Sequence, residues 1–194
     1  MIGHVCRVLM VLALFCAPLS AHPAPSPDLP GDSVYQLHVP LLDQDGRSID
    51  FASLRGTPRL ITMFYASCPF MCPLIIDTAR MSERALDESE RAKLSVLMVS
   101  FDAKRDNPAA LKALADKRKV DTPRWSLTGT DAANVRKIAA ILGIQYRPLD
   151  DGEFSHTSVL ILLDAEGRIA ARSEVMGKID PDFIKAIKQV LGKP

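Results

Sequence analysis

"LITMFYASCPFMCPLIID", residues Leu60 to Asp77, decides how this chain folds. Its first seven residues, LITMFYA, form an apolar run rich in β-formers with no glycine or proline, which predicts a strand buried on both faces. Two cysteines follow, Cys68 and Cys72, each with a proline behind it, and then a stretch of helical composition from Leu74 to Leu86. Pro73 has no N–H and is comfortable only in a helix's first turn, so the helix is expected to begin there with Cys72 as its cap. The cysteines then sit in a loop closing onto a helix N-terminus, where backbone N–H groups and the helix dipole favour thiolates.

Working outward, Leu94 to Phe101 (LSVLMVSF) reads as a second buried strand, which completes a right-handed βαβ unit. Upstream, Val34 to Val39 and Ser48 to Phe51 flank LLDQDGRS, whose Asp45-Gly46 predicts the turn of a β-hairpin. Downstream come a helix over Pro108 to Lys119 capped by Asp106 or Asn107, a short strand over Arg124 to Thr128, and a helix over Asp131 to Leu142 ending at Gly143. Thr157 to Leu163 and Ile169 to Val175 make a second hairpin around DAEGR, and Pro181 to Leu191 a last helix capped by Asp180. A βαβ half followed by a hairpin and a closing helix predicts an α/β, thioredoxin-like fold. It would have an N-terminal β-hairpin and a central mixed sheet flanked by helices, within a domain spanning 34–194. In that fold the first strand-to-helix junction, where Cys68 and Cys72 lie, carries the reactive chemistry.

The chain has 194 residues, 47% apolar and 24% charged, enough for one well-buried core and short for two. Residues 1–21 read as an export signal, with Arg7 ahead of an apolar run too short to span a bilayer, or as an anchor that is retained. Residues 22–33 begin with HPAPSPDLP, four prolines in nine residues, and read as an extended linker through which the N-terminus could tether the domain to a membrane. Removing residues 1–21 takes away Arg7 and no acid, leaving 23 acidic residues balanced by as many basic ones. That balance excludes a protein built to bind nucleic acid or an anionic membrane surface. It also removes Cys6 and Cys16, so an exported protein keeps only Cys68 and Cys72, in a periplasm-like compartment where disulfides can form.

Three chemistries remain open for the pair: a structural disulfide, a redox couple, or metal ligation. A bridge closing so short a loop restrains little unfolded-chain entropy, which argues against a staple. The three-residue spacing is wider than CxxC and lets both sulfurs turn toward one soft ion, Cu(I) or Zn(II). A third ligand would come from histidine. His22 lies in the linker and His38 in the front hairpin, whereas His156 precedes a buried strand, in the loop that faces the cysteine junction in a thioredoxin-like topology. Met71, between the cysteines, reads as a packing residue.

At these residues the sequence resembles the Sco/SenC family, the copper-binding, thioredoxin-like proteins of cytochrome c oxidase assembly. FYASCPFMCP is similar to its CPxxCP signature, SFDAKRDNP to its SxDPxRDTP segment, and SHTSVLILLD to its histidine segment, across Leu41 to Leu191. The resemblance implies that Cys68, Cys72 and His156 hold one copper ion, Cu(I) through the thiolates and Cu(II) with the imidazole as well. It implies a periplasmic metallochaperone whose partner is the copper-bearing subunit of the oxidase or another copper chaperone.

The chain departs from the family pattern at Phe70, where Asp is frequent, at Ala103 and Lys104, and at Ser155. Fewer acids near the metal should weaken Cu(II) more than Cu(I), because hard oxygen donors suit the more charged ion. Two other functions use the same thiols: a thiol–disulfide oxidoreductase in which Cys68 and Cys72 are catalytic, and a redox sensor without metal. Asp102, Arg105 and Asp106 read as a helix cap and a solvated arginine, with partner docking or support of the cysteine site as the alternative.

Overall fold

The computed structural model describes residues 29–192, so the expected signal and most of the expected linker lie outside the described residues. Ser33 is buried, its hydroxyl donating to the Glu166 carbonyl at 2.5 Å while the Val34 N–H reaches Gly167 at 3.0 Å. The chain is thus docked on the domain from this point onward.

A seven-stranded mixed sheet organises the molecule. At its centre lie three parallel strands, β3 (Arg59–Phe64), β4 (Ser95–Ser100) and β5 (Trp125–Gly129). Beyond β5 come β1 (Pro40–Asp43) and β2 (Ser48–Asp50), and beyond β3 come β8 (Leu160–Leu163) and β9 (Ile169–Ser173), all antiparallel. The helices are α1 (Met71–Arg84), α2 (Glu88–Ala92), α3 (Pro108–Arg118), α4 (Ala132–Leu142) and α5 (Pro181–Leu191). The remaining strands, β6 (Tyr146–Pro148) and β7 (Phe154–His156), pair only with each other. Every residue of β3 and β8 is buried, Arg59 and Thr62 included, which is why the two strands read as nearly continuous apolar runs.

Several boundaries differ from the sequence reading. The front hairpin forms around the expected Asp45-Gly46 turn, but its first strand is Pro40–Asp43 rather than Val34–Val39. The Asp43 carboxylate accepts the N–H groups of Asp45 and Arg47 at 2.9 and 2.8 Å and so closes the turn tightly against its own strand. Val34–Gln36 is instead a 3-10 turn, capped by the Ser33 hydroxyl on the Tyr35 N–H at 3.1 Å. The expected strand over Thr157–Leu163 shortens to β8, and the residues just before it become β7.

The parallel strands give the sheet a carboxyl edge, and ligand-bearing loops gather at such edges. The loop after β3 carries the cysteines, the loop after β4 carries Phe101 to Asp106, and β7 delivers His156 just ahead of antiparallel β8. Three segments far apart in sequence therefore meet at one pole. Ser33, bound to the β8–β9 turn, lies at the opposite pole, beyond the amino end of β3.

Candidate metal centre

The helix after the cysteine loop begins earlier than Pro73. It spans Met71–Arg84, with Phe70 at the cap position, so Cys72 lies inside the first turn rather than capping it. Phe70 has no group to accept an N–H, and the Cys68 sulfur does so instead, taking the Cys72 N–H at 3.3 Å. Pro73 is tolerated because the first turn's N–H groups have no partner within the helix. The Cys72 sulfur accepts the Tyr65 N–H at 3.4 Å, which ties the start of α1 to the end of β3.

That placement separates two thiols that the sequence treats alike. Cys72 is 2% exposed, and burial drives its thiol well above the ordinary range. Cys68 is 9% exposed; burial opposes its ionisation too, but the N–H groups of Cys72 and Phe70 more than offset it and leave the thiol below the ordinary value. Iodoacetamide is expected to modify Cys68 about tenfold or more faster than Cys72 near neutral pH, because the thiolate is the nucleophile. The Cys68 rate should level off at a lower pH than that of a free thiol. Peptide mapping after timed alkylation checks the order, and faster labelling of Cys72 would reverse the assignment.

His156 is half-buried in an aromatic cluster, its ring 4.9 Å from that of Phe101 and 6.0 Å, edge-on, from that of Tyr65. Burial lowers its pKa and holds the imidazole neutral, with the Thr157 carbonyl acting in the opposite sense. Nδ1 lies 3.2 Å from that carbonyl, which can only accept. The proton is therefore on Nδ1, and the Nε2 lone pair is free to bind a metal. Among the described residues Cys68, Cys72 and His156 each bring one ligand atom to within 4.8 Å of the other two. Two sulfurs and an imidazole nitrogen suit Cu(I), Cu(II) or Zn(II) and are poor ligands for hard, oxygen-seeking ions.

The other candidates fall elsewhere. His38 is exposed and bonded to Asp50 at 3.0 Å, and His22 is outside the described residues. Met71 is 36% exposed and Phe70 81% exposed, so neither packs in the core.

The reading of Asp106 as a helix cap is overturned. Asn107 caps α3, accepting the Ala110 N–H at 3.0 Å, because the helix starts at Pro108. Asp106 is 7% exposed, and one of its carboxylate oxygens accepts both the Ala66 N–H at 2.8 Å and the Ser100 hydroxyl at 2.5 Å. It thereby fixes the start of the cysteine loop to the end of β4. Nor is Arg105 merely solvated: it pairs with buried Asp102, donates to the Gly152 carbonyl at 2.7 Å and lies 5.9 Å over the Phe154 ring. An Asp106→Ala change takes the acceptor from the buried Ser100 hydroxyl and from the half-buried Ala66 N–H and should cost about 2–3 kcal/mol. Asp106→Asn, whose amide oxygen can accept the same two donors, should cost about 1 kcal/mol or less. Urea unfolding of both variants checks this, and equal losses would remove Asp106 from the support of the loop.

The Tyr65 hydroxyl donates to Glu153 at 2.6 Å. Burial, the bond to that carboxylate and the neighbouring Cys68 sulfur all hold Tyr65 above the ordinary phenol range. The wall of rings around His156 was not legible in the sequence, since Tyr65, Phe101, Tyr146 and Phe154 are scattered over 90 residues. The parallel β3–β4 pair sets Tyr65 beside Phe101, and the two-stranded β6–β7 pairing, with Tyr146 opposite His156, adds the other two rings.

Comparison with protein families matches residues 30–192 to SCO1/SenC. A SCO1 protein homolog of Bacillus subtilis (strain 168) is 24% identical over 131 residues, covering 66% of this chain and 67% of that one. The structure is similar to that of Bradyrhizobium japonicum ScoI with copper bound, at a TM-score of 0.62 and 24% identity, covering 79% of this chain and 99% of the other. It is also similar to BsSco, described with a disulfide switch as a member of the Sco family of cytochrome c oxidase assembly proteins. There the TM-score is 0.68 at 19% identity, covering 80% and 92% of the two chains. These likenesses establish the thioredoxin-like fold expected from the order of elements.

Proposed function

This chain belongs to the SCO1/SenC family, and from that premise we propose that it is a copper metallochaperone of cytochrome c oxidase assembly, holding one copper ion through Cys68, Cys72 and His156. The convergence of those three ligand atoms within 4.8 Å at the carboxyl edge of the sheet carries the proposal. Two thiolates satisfy Cu(I), and the neutral imidazole adds the nitrogen that Cu(II) requires. Here the ion is cargo. Cys68, the more exposed and more readily ionised sulfur, is the ligand an incoming partner would displace first. Buried Cys72 and ring-packed His156 retain the ion until exchange is complete. The receiving protein in this reading is the oxidase subunit with the binuclear copper site, or another copper chaperone. Residues 1–21 serve export to the periplasm or remain as an anchor, and residues 22–33 act as linker to the domain at 34–194.

A second reading rests on the split between the thiols. In thiol–disulfide exchange the Cys68 thiolate attacks a partner's disulfide, forming a mixed disulfide and releasing one partner thiol. Cys72 then attacks the Cys68 sulfur, closing a Cys68–Cys72 disulfide and releasing the second. The unequal thiols suit that order of events, and chaperone and reductase need not exclude one another. Copper content of the protein from copper-supplied periplasm, compared with that of Cys68→Ser, tests the first reading. Trapping of a mixed disulfide by Cys72→Ser tests the second.

A further inference from the structure

An open groove of about 660 Å³ lies beside the metal centre, with the rings of Phe101, Tyr146 and Phe154 along it. Phe101 stacks on Tyr146 with ring centres 5.3 Å apart and packs on Phe154 at 5.1 Å, and the same Phe101 ring backs His156. Tyr146 is paired directly opposite His156, and Phe154 stands two residues before it on the same strand. The groove and the metal centre therefore share a wall.

Lys104, Arg136 and Arg147 line this groove, all three exposed. Among the described residues their side chains enter no hydrogen bond or ion pair, whereas Arg105 is already committed to Asp102 and Gly152. Asp102 is the one acid of the lining, and Arg105 neutralises it; Asp150 and Asp151 lie outside the lining. In a chain of net charge +1, three uncommitted cations around one aromatic cleft are a local concentration of positive charge. Charge of one sign at an interface steers approach and sets register more than it adds raw affinity. Aromatic rings and arginine are the residue types that anchor such contacts.

We propose that this groove docks an acidic segment of the copper-exchange partner, anchored by one aromatic or aliphatic side chain against Phe101, Tyr146 and Phe154. The proposal rests on the transfer reading above for the identity of the partner's role. A segment seated there lies across the Phe101 ring from His156, so the partner's own ligands arrive beside the metal centre.

The test uses metal-free, reduced protein and a fluorescein-labelled peptide, Asp-Glu-Leu-Phe-Glu-Asp, followed by fluorescence anisotropy at low salt. Saturable binding below about 1 mM is expected. It should weaken about tenfold or more in Arg136→Glu/Arg147→Glu, in the peptide with Asn and Gln for its acids, and in the peptide with Ala for Phe. Rising salt should weaken it too. The double variant should load copper as the wild type does, because neither arginine is hydrogen-bonded to Cys68, Cys72 or His156, whose polar partners are Tyr65, Cys72 and Thr157. Cys68→Ser should bind the peptide unchanged, so failure of the copper site and failure of the groove are read separately. No binding by the wild type, equal binding of the charged and amide peptides, or unchanged binding by the double variant would overturn the proposal. Displacement of the peptide by ATP at equal concentration would also overturn it, in favour of a nucleotide site.

Discussion

Replacing His156 by alanine should lower Cu(II) affinity by about a hundredfold or more, close to 3 kcal/mol, while leaving Cu(I) affinity and oxidation of the dithiol nearly unchanged. Cu(I) is satisfied by two thiolates. Cu(II) loses the only nitrogen among the three converging groups, and no carboxylate oxygen stands in that group to replace it. The acids that do come close are engaged elsewhere: Glu153 accepts the Tyr65 hydroxyl, and Asp106 holds Ala66 and Ser100. Because His156 packs against Phe101 and Tyr65, alanine also removes ring contacts. His156→Phe keeps a ring there without a ligand nitrogen and should show the same loss of Cu(II) binding with less loss of stability. Competition titrations with each oxidation state check both variants. Unchanged Cu(II) affinity in both would mean that the imidazole is not a ligand.

The departures from the family pattern acquire a physical sense from the same geometry. Phe70, between the cysteines, projects into solvent at 81% exposure and offers no oxygen to the metal. Ser155 is exposed beside His156 on β7. A site poor in oxygen donors favours the reduced ion, so this chain should hold Cu(I) well and depend heavily on His156 for Cu(II).

The cysteine pair, its position after a buried strand and the mixed sheet were legible in the sequence because each leaves a local signal. LITMF and LILL read as buried strands, and Asp131, Pro108, Pro181 and Gly143 mark helix ends by their own chemistry. His156 was legible as a candidate ligand through its resemblance to a family segment and its place before β8, not through any spacing from the cysteines. What the sequence hid depends on tertiary contacts. The Cys68 sulfur accepts the Cys72 N–H that Phe70, at the cap position, has no group to take, and α1 starts at Met71 rather than at Pro73. Asp106 looked like a cap because a proline stands two residues on, yet its carboxylate turns inward to the cysteine loop. The unequal thiols follow from the start of α1: burial drives Cys72 up, while the N–H groups of Cys72 and of the cap residue Phe70 favour the Cys68 thiolate.

The measurement that bears most directly on the copper site is the copper-to-protein ratio of the chain and of Cys68→Ser, each purified from copper-supplied periplasm under reducing conditions. Removing one of two soft ligands leaves a sulfur and an imidazole, a pair that seldom completes a stable site. The wild type is expected to carry about one copper per chain and Cys68→Ser about a tenth of that or less, with circular dichroism confirming that both are folded. Equal copper in the two proteins, or none in either, would contradict the assignment of Cys68, Cys72 and His156 as a copper centre.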